Sequence, residues 1–178
     1  MAFVRASIIV ATALWAAAEI LKLWRPRQVE PTRRLWTIAA ALAWLHAGAA
    51  FHQVYGWSQA TAVDATARQT AALFGLAWGG GLFVNYAFLA MWAVDAAWWW
   101  MAPASHQQRS PIVERARRWI FVFMFVNGAI VFAAGPARLA GVAAVSAVCV
   151  AWALRPAERR DPHMSGDPAS RRSTTIHV

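Results

Sequence analysis

Few side chains in this sequence are suited to chemistry, and their spacing limits what they can do. His46, Asn85 and Asn127 each stand inside an apolar stretch, and Asp95 follows Asn85 in the same stretch. Ionisable and amide groups are costly in hydrocarbon and mark candidate sites where they occur there. At about 1.5 Å of rise per helical residue, His46, Asn85 and Asn127 fall at one level midway through a bilayer, with Asp95 nearer the inner side. This intramembrane set reads as a proton-relay position or the pocket of a small ligand. Its structural counterpart is hydrogen bonding between helices, which Asn and His supply where apolar faces gain little by meeting in lipid. A second group, His52, Tyr55, Asp64 and Arg68 with Gln53 and Gln69, falls at the outer rim and would surround a small external site. Glu19 precedes Lys22 by three residues and Asp95 lies within reach of the inner arginines, so both carboxylates are expected in interfacial ion pairs.

The same inventory closes several reaction classes. His46 and His52 are six residues apart, about 240° around a helix, so they cannot hold one metal ion on a single face. No second histidine-bearing span supplies a bis-histidine haem site, and Met91 and Met124 lie toward the inner side, away from His52. No cofactor is expected; haem survives only with a single histidine ligand or shared between protomers. Di-iron chemistry lacks its Glu-x-x-His motifs. There is no Walker loop, no dinucleotide-binding glycine motif and no His-Glu-x-x-His. Ser146 stands outside any Gly-x-Ser-x-Gly frame. Cys149 is the sole cysteine, so neither an internal disulfide nor a dithiol centre can form.

The elements that must position these residues are transmembrane helices. The chain is 60% hydrophobic and 14% charged, and its apolar residues come in long blocks rather than on alternating faces, which is a membrane composition. A crossing needs roughly 20 helical residues. The blocks give spans at about 6–23, 35–55, 71–100, 119–134 and 137–154, followed by a disordered tail over 156–178. The fold class is thus all-α, a polytopic bundle of five spans. Four spans is the alternative, because the last two are divided only by the turn signal Gly135-Pro136-Ala137-Arg138. Between the second and third spans, Trp57–Thr70 is expected to be an external helix, with Ser58 as its N-cap and Asp64 paired to Arg68. Along the third span Trp78, Gly81, Asn85, Phe88, Trp92, Asp95 and Trp99 form one helical stripe, and Gly75, Gly79, Gly80 and Gly81 clear its outer half for close approach by another backbone or a flat ligand.

Net charge is +9, and its distribution decides what it means. Fourteen of the seventeen basic residues fall in three alternate connections, Lys22–Arg34, Ala102–Arg118 and Arg155 to the end; Arg5, Arg68 and Arg138 fall on the other side. That bias places the N-terminus outside and the tail in the cytoplasm, and it argues for anionic headgroups rather than nucleic acid as the partner. It also favours a retained first helix over a cleaved signal peptide. Trp24, Trp36, Trp98, Trp99, Trp100 and Trp119 lie at block edges, where indoles favour the interface. Alanine- and arginine-rich composition with compact loops points to a bacterial inner membrane. Function is expected to be that of a non-catalytic structural or accessory subunit, packing with itself as a homo-oligomer or with a membrane protein partner. The alternative is a small ligand-, proton- or haem-handling protein using the polar residues inside the bundle.

Overall fold

A computed structural model describes residues 2–154, and every regular element among them is helical. The chain runs through α1 (Ala2–Trp24), α2 (Val29–Gln53), α3 (Gln59–Phe74), α4 (Gly81–Met101), α5 (Pro103–Gln107), α6 (Pro111–Val126) with a π-helical continuation (Asn127–Val131), and α7 (Pro136–Ala153). Four of these helices, α1, α2, α4 and α7, are long and apolar enough to cross a membrane. The expected tail, residues 156–178, lies outside the described residues.

Local sequence explains the boundaries. The Ser58 hydroxyl caps α3 by accepting from the Thr61 amide at 3.2 Å, as expected, and Ser110 does the same for α6 through Val113 at 3.3 Å. Proline stands in the first turn of α5, α6 and α7, where its missing N–H costs nothing. Gly135 reverses the chain into α7 with φ 59° and ψ −138°, a combination open essentially to glycine alone.

Three expected boundaries are corrected. The third apolar block is not one helix from 71 to 100: its first four residues close α3, Gly75 caps that helix in left-handed backbone, and α4 starts only at Gly81. Gly79 therefore lies in a connection rather than on a helix face. A β-carbon on it would lie 2.8 Å from the Val63 carbonyl oxygen, so its missing side chain serves α3–α4 packing within this chain. The block at 119–134 starts earlier, at Pro111, because Glu114 bonds Arg117 and Arg118 one turn on and carries the helix through a segment read as a loop. The second helix likewise starts at Val29, with Glu30 paired to Arg33 and Arg34.

Paired contacts fix the directions. Ser7 lies beside His46 while Lys22 lies over Trp36, so α1 and α2 are antiparallel. The Trp44 indole donates to the Leu89 carbonyl at 3.2 Å and Trp100 donates to the Thr37 hydroxyl at 2.9 Å, which sets α4 antiparallel to α2. Trp15 stacks on Phe125 at 4.1 Å and Glu19 meets Arg117, so α6 runs against α1. Trp119 faces Trp152, and a β-carbon on Gly141 would fall 2.4 Å from the Ala129 carbonyl oxygen; α7 thus returns along α6 with its backbone against the π segment. At the centre Trp36, Trp92 and Phe121 form an aromatic layer with ring centroids 4.8–5.4 Å apart. Trp36, expected at the interface, is instead 0% exposed, and Trp99 is buried as well. Their rings pack under the Lys22 ammonium within the bundle. Trp24, Trp100 and Trp119 remain exposed.

Candidate functional site

Above the aromatic layer a cavity of about 690 Å³ opens between α2, α3, α4 and the π segment, a volume typical of small-molecule sites. Its walls are mainly apolar: Phe51, Phe74, Phe88, Trp92, Phe123 and Phe132 supply rings from four elements. Several rim side chains, among them Phe74, Val84, Phe123 and Phe132, are exposed apolar groups, so the mouth is hydrophobic too. Polar groups are few and come from different helices.

His46 reaches the cavity from α2. Its Nδ1 lies 2.9 Å from the Val4 carbonyl oxygen, which can only accept, so Nδ1 carries the proton and the neutral ring leaves Nε2 as an acceptor. The Ser7 hydroxyl donates to the same carbonyl at 3.0 Å, and its 3.5 Å approach to Nδ1 therefore does not activate it as a nucleophile. Asn127 opens the π segment. Its amide donates to the Phe123 carbonyl at 2.8 Å and leaves Oδ1 and one N–H uncommitted by that bond. The π turn closes through the Phe132 amide donating to the Asn127 carbonyl at 2.9 Å, and this local widening, frequent at functional sites, carries Asn127, Gly128 and Ala129 onto the cavity wall. Asn85 completes the set from α4, and Tyr55, Thr66 and Gln69 line the outer end.

Of the intramembrane residues singled out in the sequence, His46, Asn85 and Asn127 thus line one cavity, whereas Asp95 does not. Of the outer group, Tyr55 lines the same cavity. His52 stands apart and exposed, its Nδ1 accepting from the Trp57 indole at 3.2 Å, with Trp57 at a positive φ of 61°. Asp64 and Arg68 are exposed, and the ion pairs among the described residues include neither. Of the outer group, Tyr55 and Gln69 thus line the cavity, and His52, Asp64 and Arg68 are exposed side chains outside its lining.

No family model, curated protein or solved structure matches the chain. The site is consequently read from its own geometry.

Below the aromatic layer lies a second constellation. Arg117 is 2.6 Å from Glu19 of α1 and 2.8 Å from Glu114 of its own helix. Arg109 bridges Asp95 and Glu114, each at 2.6 Å, and His106 of α5 lies 3.4 Å from Asp95 while stacking on Trp99 at 4.5 Å. Arg117 and Lys22 both sit over Trp36, at 4.8 and 5.3 Å from the ring centroid. Asp95 thus meets an arginine of the inner connection as its depth implied, while Glu19 is paired across the bundle to Arg117 rather than within α1 to Lys22. Burial lowers the His106 imidazole below its ordinary value, against the opposing pull of Asp95.

Sequence reasoning missed Glu114 and His106 as partners and placed Arg109 only among the inner arginines open to Asp95. The spacing of Glu114 from Arg117 and Arg118 was the available signal, since it is the spacing of helical ion pairs. Among the described residues no three His, Cys, Asp or Glu side chains converge as a metal site.

Proposed function

We propose that this multi-pass membrane protein binds an amphiphile drawn from the surrounding bilayer, seating its apolar chain in the cavity and its polar head on His46, Asn85 and Asn127. The observation that carries this reading is the convergence of those three groups, from three separate elements, on one ring-lined cavity with an apolar mouth. Apolar walls with a few convergent hydrogen-bonding groups are the ordinary makeup of a ligand site. The three groups offer both acceptors and donors, which suits a hydroxyl or carbonyl head. The accessory-subunit reading drew on interfacial tryptophans and on the glycines of the third block, and of these Gly79 meets Val63 of this same chain.

The proposal includes a topology. With its π continuation α6 covers residues 111–131, about 31 Å at helical rise, and runs antiparallel to α1 and α7, so it serves as a fifth span despite its charged first turns. The basic connections then lie together on the cytoplasmic side of a bacterial inner membrane, with the N-terminus outside.

Extraction of the full chain into mild detergent, followed by mass spectrometry of the organic extract, tests the function. The wild type is expected to retain a near-stoichiometric amphiphile that Asn85→Leu and Asn127→Leu lose while remaining folded. Equal retention by all three, or none by the wild type, refutes it. An absorption spectrum of the same sample tests the haem form of the reading.

A further inference from the structure

The charged constellation borders a smaller pocket of about 290 Å³, walled by the α1–α2 turn on one side and by α5 and the start of α6 on the other. Its lining carries Lys22, Arg25, Arg109 and Arg118 against a single carboxylate, Glu114. Three nitrogen atoms of its lining residues, on His106, Lys22 and Trp99, are buried and make no hydrogen bond. The His106 Nε2 belongs to a side chain 2% exposed and lies 3.4 Å from Asp95, and the Lys22 Nζ has its nearest carboxylate, Glu114, at 3.9 Å. An ammonium group has three strong donors, and leaving them unsatisfied away from water is costly. The cation–π contacts of Lys22 with Trp36 and Trp99 hold its position but satisfy no N–H. Arg109 is paired with Asp95 and Glu114, and Arg118 with Glu114, so the positive charge with no carboxylate within ordinary ion-pair reach rests on Lys22 and Arg25.

We propose that this pocket binds a phosphate oxyanion, through Lys22 and Arg25. The volume is too small for a chain-bearing ligand and suited to a headgroup. A dispersed, tetrahedral anion with several acceptor oxygens meets donors that arrive from separate elements, which one carboxylate cannot do. The phosphate is carried either by an anionic phospholipid, since the pocket lies at the end of α1 where a headgroup layer would stand, or by a soluble phosphate. This site is separate from the cavity above the aromatic layer and stands whether or not that cavity holds an amphiphile.

Native mass spectrometry on the full chain in detergent tests the inference. The probes are a short-chain phosphatidylglycerol, the matching phosphatidylcholine, inorganic phosphate, and a short-chain fatty acid. Phosphatidylglycerol or inorganic phosphate is expected to bind at one saturable site, and Lys22→Gln is expected to weaken it by about tenfold or more, the factor of one charge-assisted hydrogen bond. Arg25 is exposed, so Arg25→Gln leaves the fold intact and should weaken the same site if Lys22→Gln fails to fold. Phosphatidylglycerol binding without inorganic phosphate binding assigns the lipid source; inorganic phosphate binding at the same site assigns the soluble one. Equal binding of the fatty acid, or binding indifferent to Arg25→Gln and Lys22→Gln, overturns the proposal.

Discussion

Replacing Arg117 by methionine isolates what the buried charges contribute. Arg117 and Glu19 are 5% and 1% exposed at the side chain and 2.6 Å apart. At an effective dielectric near 20, two unit charges at that distance attract by roughly 6 kcal/mol before desolvation is subtracted. Arg117→Met leaves Glu19 buried with only the more distant Lys22 charge in attendance, and breaking such a pair from one side costs about 3–5 kcal/mol. Glu19→Gln should cost less, because Arg117 keeps Glu114 at 2.8 Å. The double variant removes both charges and should recover part of the loss, so that the two effects are strongly non-additive. Denaturant unfolding in detergent, followed by fluorescence of the tryptophans that flank the pair and by circular dichroism, measures all three. A loss below about 1 kcal/mol for Arg117→Met, or simple additivity in the double variant, would refute the reasoning.

The remaining expectations concern pH and backbone contact. His106 has a folded value below its ordinary 6.5, so the folded chain binds fewer protons there than the unfolded one, and stability should decline as pH falls below about 6.5. His106→Asn should flatten this decline in a pH series of thermal unfolding. Gly141→Val drives a side chain into the Ala129 carbonyl and should cost at least about 1–3 kcal/mol, while Ala143→Val on the exposed side of α7 should be nearly neutral in the same unfolding assay. Gly135→Ala places a β-carbon in backbone geometry reserved for glycine and should cost about 1–3 kcal/mol in unfolding, with the helices themselves retained by circular dichroism.

The boundaries that differed from the sequence reading differ for one reason. Apolar-block reading sees hydropathy, whereas a helix continues wherever its backbone hydrogen bonds and local side-chain pairs allow. Pro111–Arg118 is charged yet helical, since Glu114 reaches both Arg117 and Arg118. Residues 71–80 are apolar yet broken, since Gly75 adopts left-handed backbone there.

What the sequence determined by itself was the class of molecule, most of its helices, the Ser58 cap of the helix after it and the turn at Gly135, because each follows from composition or from a few adjacent residues. It also placed His46, Asn85 and Asn127 at a common depth, since helical rise converts position into height. Depth says nothing of azimuth. Whether a side chain points at a cavity or at a cation depends on how each helix is rotated and which neighbour it meets, and that arises from long-range packing of Trp15, Trp36, Trp92 and Phe121. Tertiary structure alone therefore sent Asp95 to Arg109 and His106 rather than to Asn85, joined Glu19 to Arg117 across the bundle, and separated an apolar cavity from a charged pocket by one layer of aromatic rings.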